Sequence, residues 1–219
     1  MVGGAVYLVF SHCWIDYAHM GADDPSALGV ERRVPVDWWE NSRRLALMHR
    51  NRAIENPEGF ATVGPDSWGV GASDGPTGYH VAHLYPEPIE MPDSIVEVDY
   101  PPQRPADNWM DGTIAPYAAG SSIMFTPAES VAALRHCRAL TGDDGELLVW
   151  RGLEAGGVGF LDAFNLDAGW VAADYVAIDQ GPLLLAIENA RSGLLWRTFH
   201  RHPLVERAVT RLRLRTEYE

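Results

Sequence analysis

Apolar and polar positions recur at helical spacing in several stretches of the chain. From Trp38 to Glu55, Trp39, Ala46, Leu47 and Ile54 make a partial apolar stripe. Arg43, Arg44, Arg50 and Arg52 share the rest of that surface, a pattern that predicts an amphipathic helix. Asp37 with Glu40 approximates a capping box at its start, and Asn56-Pro57 ends it. Pro116 to Met124, rich in Ala and Ser, predicts a short helix whose small residues permit close packing. Thr126-Pro127-Ala128-Glu129 supplies a cap, a first-turn proline and an acid at the third position for a further helix, which continues to about Leu140 and stops at Gly142. Behind Asp179-Gln180-Gly181-Pro182 an apolar run to about His200 is polar only around Glu188 to Ser192, which predicts an inner helix. His202-Pro203 breaks it, and a final amphipathic helix covers about Leu204 to Leu212.

Between the helices the pattern loosens. Residues 57–113 are punctuated first by glycines and then by prolines, with a short strand expected at Ile95 to Val98. A second brief strand or turn is expected near Leu147 to Trp150. The fold class is therefore mainly α, with long loops and a few short strands. A loop region of this length is functional or misread, and its Trp68, Asp74, Tyr79, Trp109 and Asp111 favour a functional one.

Composition narrows the classes. At 219 residues the chain can build one sizeable core, and its 47% hydrophobic content is that of a globular protein. A formal net charge of −13 argues against a nucleic-acid partner, because a phosphate backbone requires a basic face. The Arg-rich tail, Arg207 to Arg215, is read as a helix end favoured by cations. No apolar run has the length of a membrane span. Val2 to Phe10 is apolar but lacks a basic leader and a cleavage site, so it is read as a segment starting inside a folded domain. Cys13 and Cys137 form no CxxC pair and are read as two buried thiols.

Candidate chemistry is reached by elimination. His80-Val-Ala-His83, His200 with His202, and His12-Cys13 lack zinc spacing, so no His/Cys metal site is assigned, while calcium on loop carboxylates stays open. There is no Gly-x-Ser-x-Gly, P-loop or dinucleotide fingerprint, and no cofactor is assigned. What remains is acids beside aromatics: Asp16 with Trp14 and Tyr17, Asp74 near Trp68 and Tyr79, Asp111 near Trp109, and Asp179 and Glu188 near Tyr175 and Trp196. Sugars need both kinds, aromatic faces for the C–H faces of the rings and carboxylates or amides for hydroxyls, and glycosidic cleavage needs two carboxyls, one of them protonated. At a helix start, Asp179 is expected to be ionised, as a base or as a plain N-cap. Glu188, on a buried helix, is expected to have a raised pKa, or else to pair with Arg191 or Arg197. Nine residues of helix span about 13 Å, too far for a retaining pair of Asp179 and Glu188. Asp74 and Asp111 read equally as turn formers or site residues, and Arg43 as a carboxylate clamp or part of a solvated face.

Several long, ordered strings resemble a known family. They are Trp39-Glu40-Asn41-Ser42-Arg43-Arg44, Trp68 through Pro76, Asp111 through Pro116, Phe125 through Ser130, Asp162-Ala163-Phe164-Asn165 and Ile178 to Trp196. Together they are similar to the bacterial glucoamylase-like (glycoamylase) family, from His12-Cys13-Trp14-Ile15-Asp16 to Pro203. The resemblance implies part of an (α/α)6 toroid and activity on glucans, with endo-β-1,2-glucanases, inverting hydrolases, among its relatives. It implies Asp179 and Glu188 as catalytic candidates, and Asp16, Arg43, Trp68, Asp74, Asp111, Asp162 and Asn165 as substrate-lining residues. Family members carry a further helical region ahead of the His12 segment, so this chain is expected to match the C-terminal half of the domain and to lack one catalytic carboxylate. The implied partners are an oligo- or polysaccharide glucan and a complementing N-terminal half, and family members are typically exported. A non-catalytic sugar-binding fragment and a glucan transglycosylase stay open beside the hydrolase. A half toroid is also expected to leave apolar helix faces exposed.

Overall fold

The structure, a computed structural model, describes residues 6–30, 33–82, 84 and 110–214. Helices dominate it: α1 (Val6–His12), α2 (Trp38–Glu55), α3 (Pro116–Ser121), α4 (Pro127–Ala139), α5 (Ala177–Ser192), α6 (Leu194–His200) and α7 (Pro203–Arg211). The sheet content is three small antiparallel pairs: β1 (Ala72–Ser73) with β2 (His80–Val81), β3 (Trp150–Arg151) with β4 (Gly159–Phe160), and β5 (Phe164–Asn165) with β6 (Trp170–Val171). The fold is mainly α, as the helical periodicities imply. The strand expected at Ile95 to Val98 lies outside the described residues.

The caps explain the helix bounds. Asp37 accepts the Glu40 amide at 2.9 Å to open α2, and Asn56, left-handed at φ 36°, closes it. Asn56 then holds the following turn, donating to the Phe60 and Val63 carbonyls and accepting the Phe60 amide. Thr126 sits at the start of α4 but its hydroxyl does not cap; it donates instead to the Ser122 carbonyl and pairs with Ser130. The expected single helix reaching His200 is two. Gly193 adopts φ 65°, a conformation cheap for glycine alone, and separates α5 from α6. The start also moves: α5 begins at Ala177 and takes Pro182 into its interior, so Asp179 lies in the first turn and not before it.

Alanine and glycine on α3 set the centre of the packing. A Cβ on Gly120 would lie 2.5 Å from Leu183 of α5 and 2.8 Å from Leu134 of α4. Ala118 and Ala119 are fully buried, so three helices approach closely where only small side chains fit. Around them Trp68, Val70, Ile114, Tyr117, Val149 and Phe164 form the main core. A second cluster, Val9, Cys13, Met124, Phe125 and Ala186, seats α1 against α5, with Trp39 and Trp196 packed on it. Both cysteines are buried free thiols, and burial pushes each up to about 12. No helix among the described residues is long and apolar enough to cross a membrane.

Candidate active site

The site forms where the start of α5 meets the loop between β4 and β5. The peptide N–H of Asp162 donates to the Asp174 carbonyl at 3.1 Å, and Ala172 donates to Ala163 at 2.9 Å. Gln180 reaches from α5 to the Phe160 carbonyl at 3.1 Å. These bonds bring Asp162 beside Asp179, and both side chains are buried. Across from them the β1–β2 hairpin delivers Asp74, whose peptide N–H donates to Asp162 Oδ2 at 2.8 Å. Tyr117 pins the base of that hairpin, its hydroxyl donating to the Ala72 carbonyl at 2.7 Å.

The two buried carboxyls are placed to share a proton. Asp162 and Asp179 hydrogen-bond to each other through their side chains. Asp162 Oδ1 is buried and, among the described residues, receives no bond from an N–H or hydroxyl, which leaves it open to a protonated carboxyl such as that of Asp179. Burial raises Asp179 to about 8, reinforced by the hydrogen bond and charge of Asp162 and the charge of Asp74. Burial raises Asp162 as well, with the charges of Asp74 and Asp174 adding to it, while the bonds from Asp179 and the Asp74 amide oppose. This reverses the ionised state expected of Asp179 from its place at a helix N-terminus. No Arg or His among the described residues forms an ion pair with either group.

Asp111 joins the same region through the hairpin. It is exposed, and its Oδ1 lies 3.7 Å from Nε2 of His80 on β2. Asn165 fixes the loop beneath it, donating to the Asp111 carbonyl at 3.0 Å and to the Thr113 hydroxyl at 3.1 Å. Asp74, Asp162 and Asp179 are thus joined directly, and Asp111 with Asn165 is connected to them through His80, whose strand partner Ser73 precedes Asp74.

Four other expected site residues stand apart from this network. Glu188 is bound by Arg191 at 2.8 Å and by the Ser192 hydroxyl at 2.6 Å, and these bonds hold its carboxyl below the usual range, the reverse of a burial-driven rise. Arg43 is engaged by Glu40 through two bonds, at 2.7 and 3.1 Å. Trp68 is 1% exposed, so its indole packs in the core and offers no open face for a sugar. Its neighbour Gly69 explains the fit: at φ 101°, a Cβ there would meet the Ala119 amide at 2.6 Å. Asp16 is buried in a separate cluster, pairing with His19 at 2.8 Å, and its peptide N–H donates to His200 at 3.1 Å. Trp109 lies outside the described residues. Among the described residues, no group of three or more His, Cys, Asp or Glu is placed to hold a metal ion.

Two further residues belong to the network: Asp174, which the sequence offers as one of the loop acids ahead of the apolar helix, and His80, which it does not mark as a site residue. Asp174 offers its carbonyl to Asp162 and its charge to the pair. His80 stood out only as a rejected metal ligand, and its pairing across the hairpin with Ser73 is a matter of register.

The fold has known counterparts. The model of the Glycoamylase family, described as "Putative glucoamylase", matches residues 5–203, and the chain belongs to that family. It is 29% identical over 199 residues to an exo β-1,2-glucooligosaccharide sophorohydrolase (non-reducing end) of Parabacteroides distasonis, a match covering 91% of this chain and 23% of that protein. It also resembles the crystal structure of a β-1,2-glucanase from Parabacteroides distasonis, with TM-score 0.71 and 27% identity, over 96% of this chain and 24% of the other. The endo-β-1,2-glucanase of Chitinophaga pinensis, solved with sophorotriose and glucose, aligns with TM-score 0.70 and 31% identity, over 96% of this chain and 40% of that one. The chain therefore spans less than half the length of each of these relatives.

Proposed function

We propose that this chain carries one wall of a glycoside hydrolase site for β-1,2-linked glucan. One observation supports this reading above the others: two buried carboxyls stand side by side, with no ion-paired cation among the described residues, beside a loop that brings a third. Such an arrangement costs stability, and groups whose environment raises their pKa belong to acid–base chemistry. Raised carboxyls are stronger bases than ordinary ones. Asp162, with Asp179 as its proton-bearing partner, would take a proton from the water that attacks the anomeric carbon. Asp74, Asp111 and Asn165 would line the sugar, since carboxylates and amides suit its hydroxyls.

Two carboxyls in direct contact cannot flank a glycosidic bond, which requires roughly 5–5.5 Å in a retaining and 6.5–9.5 Å in an inverting enzyme. The pair therefore acts as one member, and the opposing acid comes from across the sugar. We place that acid on a complementing helical region ahead of the His12 segment, within one domain of an (α/α)6 toroid. Coverage of less than half of the relatives supports this, as do Ile178 and Leu184, 62% and 68% exposed on the helix that bears Asp179.

The test is reducing-end release from β-1,2-glucan and from starch, by the chain alone and after mixing with a complementing helical region from a family member. Release from β-1,2-glucan, lost in D179N and D162N, is expected. Release from starch alone, or full activity in both variants, overturns the assignment.

A further inference from the structure

We propose that His80 is a positioning residue that holds the Asp111 carboxylate, and the turn carrying Asp74, in place to receive the hydroxyls of a glucosyl unit. This rests on the carbohydrate reading above. His80 faces Ser73 across the β1–β2 pair, and Asp74 follows Ser73 into the turn. One edge of its ring lies against that turn. A Cβ built on Gly75 would stand 2.5 Å from His80 Nδ1 and 2.7 Å from Cε1, so glycine at position 75 is what lets the imidazole lie flat on the backbone beside Asp74. Nε2, the ring atom next to Cε1, faces Asp111, 3.7 Å from Oδ1. The histidine side chain is 13% exposed and the aspartate 42%, which puts the imidazole underneath and the carboxylate above it toward solvent.

That separation is longer than a good hydrogen bond, so Oδ2 and the second lone pair of Oδ1, whose first accepts the Thr113 amide, stay available to a ligand. The imidazole still biases the direction in which the carboxylate points. The Thr113 amide also donates to the carboxylate, at Oδ1 and 2.9 Å, and Asn165 fixes the backbone by holding the Asp111 carbonyl. An exposed carboxylate that must be frozen on binding loses rotamer freedom, and ordering it beforehand recovers affinity. His80 does this for Asp111 while its Nδ1–Cε1 edge packs the Asp74 turn, so one ring aligns two acceptor groups of the same sugar site. Nε2 is itself buried, which places the role in positioning and not in proton transfer to substrate.

The experiment is a double-mutant cycle in the full chain, with sophorotriose as probe and calorimetric Kd as readout. His80→Ala is expected to weaken binding about three- to tenfold, and the same change in an Asp111→Asn background to have no measurable effect. Equal weakening in both backgrounds would mark His80 as merely structural and overturn the proposal, as would unchanged binding by His80→Ala. If His80→Ala does not fold, His80→Asn, which keeps a polar group against Gly75, takes its place in the same cycle. A wild-type chain that binds no sophorotriose overturns the carbohydrate reading and this inference with it. Wild-type binding that ignores His80 overturns the inference alone.

Discussion

Asp179 and Glu188 stand on one helix, α5, and their carboxyls behave in opposite ways. Asp179 is buried against Asp162 and is raised to about 8. Glu188 keeps the company of Ser192 and Arg191 and is lowered. The helix dipole should have favoured an ionised Asp179, but that effect is worth roughly 0.3–1 kcal/mol, less than one pKa unit. Burial moves a carboxyl by up to about 3–5 units, so desolvation wins. An acid with a cation beside it is a structural ion pair. An acid buried with another acid carries a cost that no cation among the described residues offsets, and the proposed site rests on that contrast.

The comparison is broken or sharpened most strongly by activity. D179N is expected to lower β-1,2-glucan hydrolysis by about 10²–10⁴-fold, the usual worth of an acid–base group, whereas E188Q should stay within about twofold, as expected of an exposed ion pair. Equal losses in reducing-end assays would erase the distinction between the two acids.

Stability against pH is the next largest effect. The folded pKa of Asp179 exceeds its unfolded value, so between about pH 4 and 8 the native state holds a proton that the unfolded chain releases. The stability contributed by that proton is present below the unfolded pKa and is lost as pH rises through about 8. The Asn side chain can donate the same bond to Asp162 without charge. D179N should therefore gain Tm relative to wild type, and gain more at pH 8 than at pH 5. A difference independent of pH would contradict the shared proton.

Asp167 sharpens the contrast as a third kind of carboxylate, satisfied by donors and not by a cation. It accepts the Ala61 amide at 2.8 Å, the Thr62 amide at 3.1 Å and the Thr62 hydroxyl at 2.8 Å. D167A should cost about 1–2 kcal/mol in denaturant unfolding, the range for exposed bonds to a charged group, with catalysis little changed. The smallest effect belongs to E188A, whose Tm should fall within about 1 °C of wild type, since surface pairs are worth little.

Much of the scaffold was legible in the sequence. Asp37 and Asn56 announced the ends of α2, Pro127 the first turn of α4, and His202-Pro203 the break ahead of α7, because caps and prolines act locally. Gly193 was missed because a single left-handed glycine inside an apolar run resembles a tolerated interior residue. The site was half legible. Asp74, Asp111, Asp162, Asn165 and Asp179 stood out as polar groups in loops, but which of them touch depends on pairings between distant segments, such as the Asp74 amide with Asp162. Trp68 misled because an aromatic in a Gly-rich loop looks exposed, and only the close approach of Gly69 to α3 buries it. For Glu188, the pairing with Arg191 was one of two open readings, and geometry selects it.

The most direct measurement is a carboxyl ¹³C NMR titration of the chain, with Asp162 and Asp179 assigned through D162N and D179N. One of the two carboxyls should keep its proton at pH 7 and release it near about 8, with that step absent from D179N. Two carboxyls that are both fully ionised by pH 5 would contradict the shared proton and the acid–base role built on it.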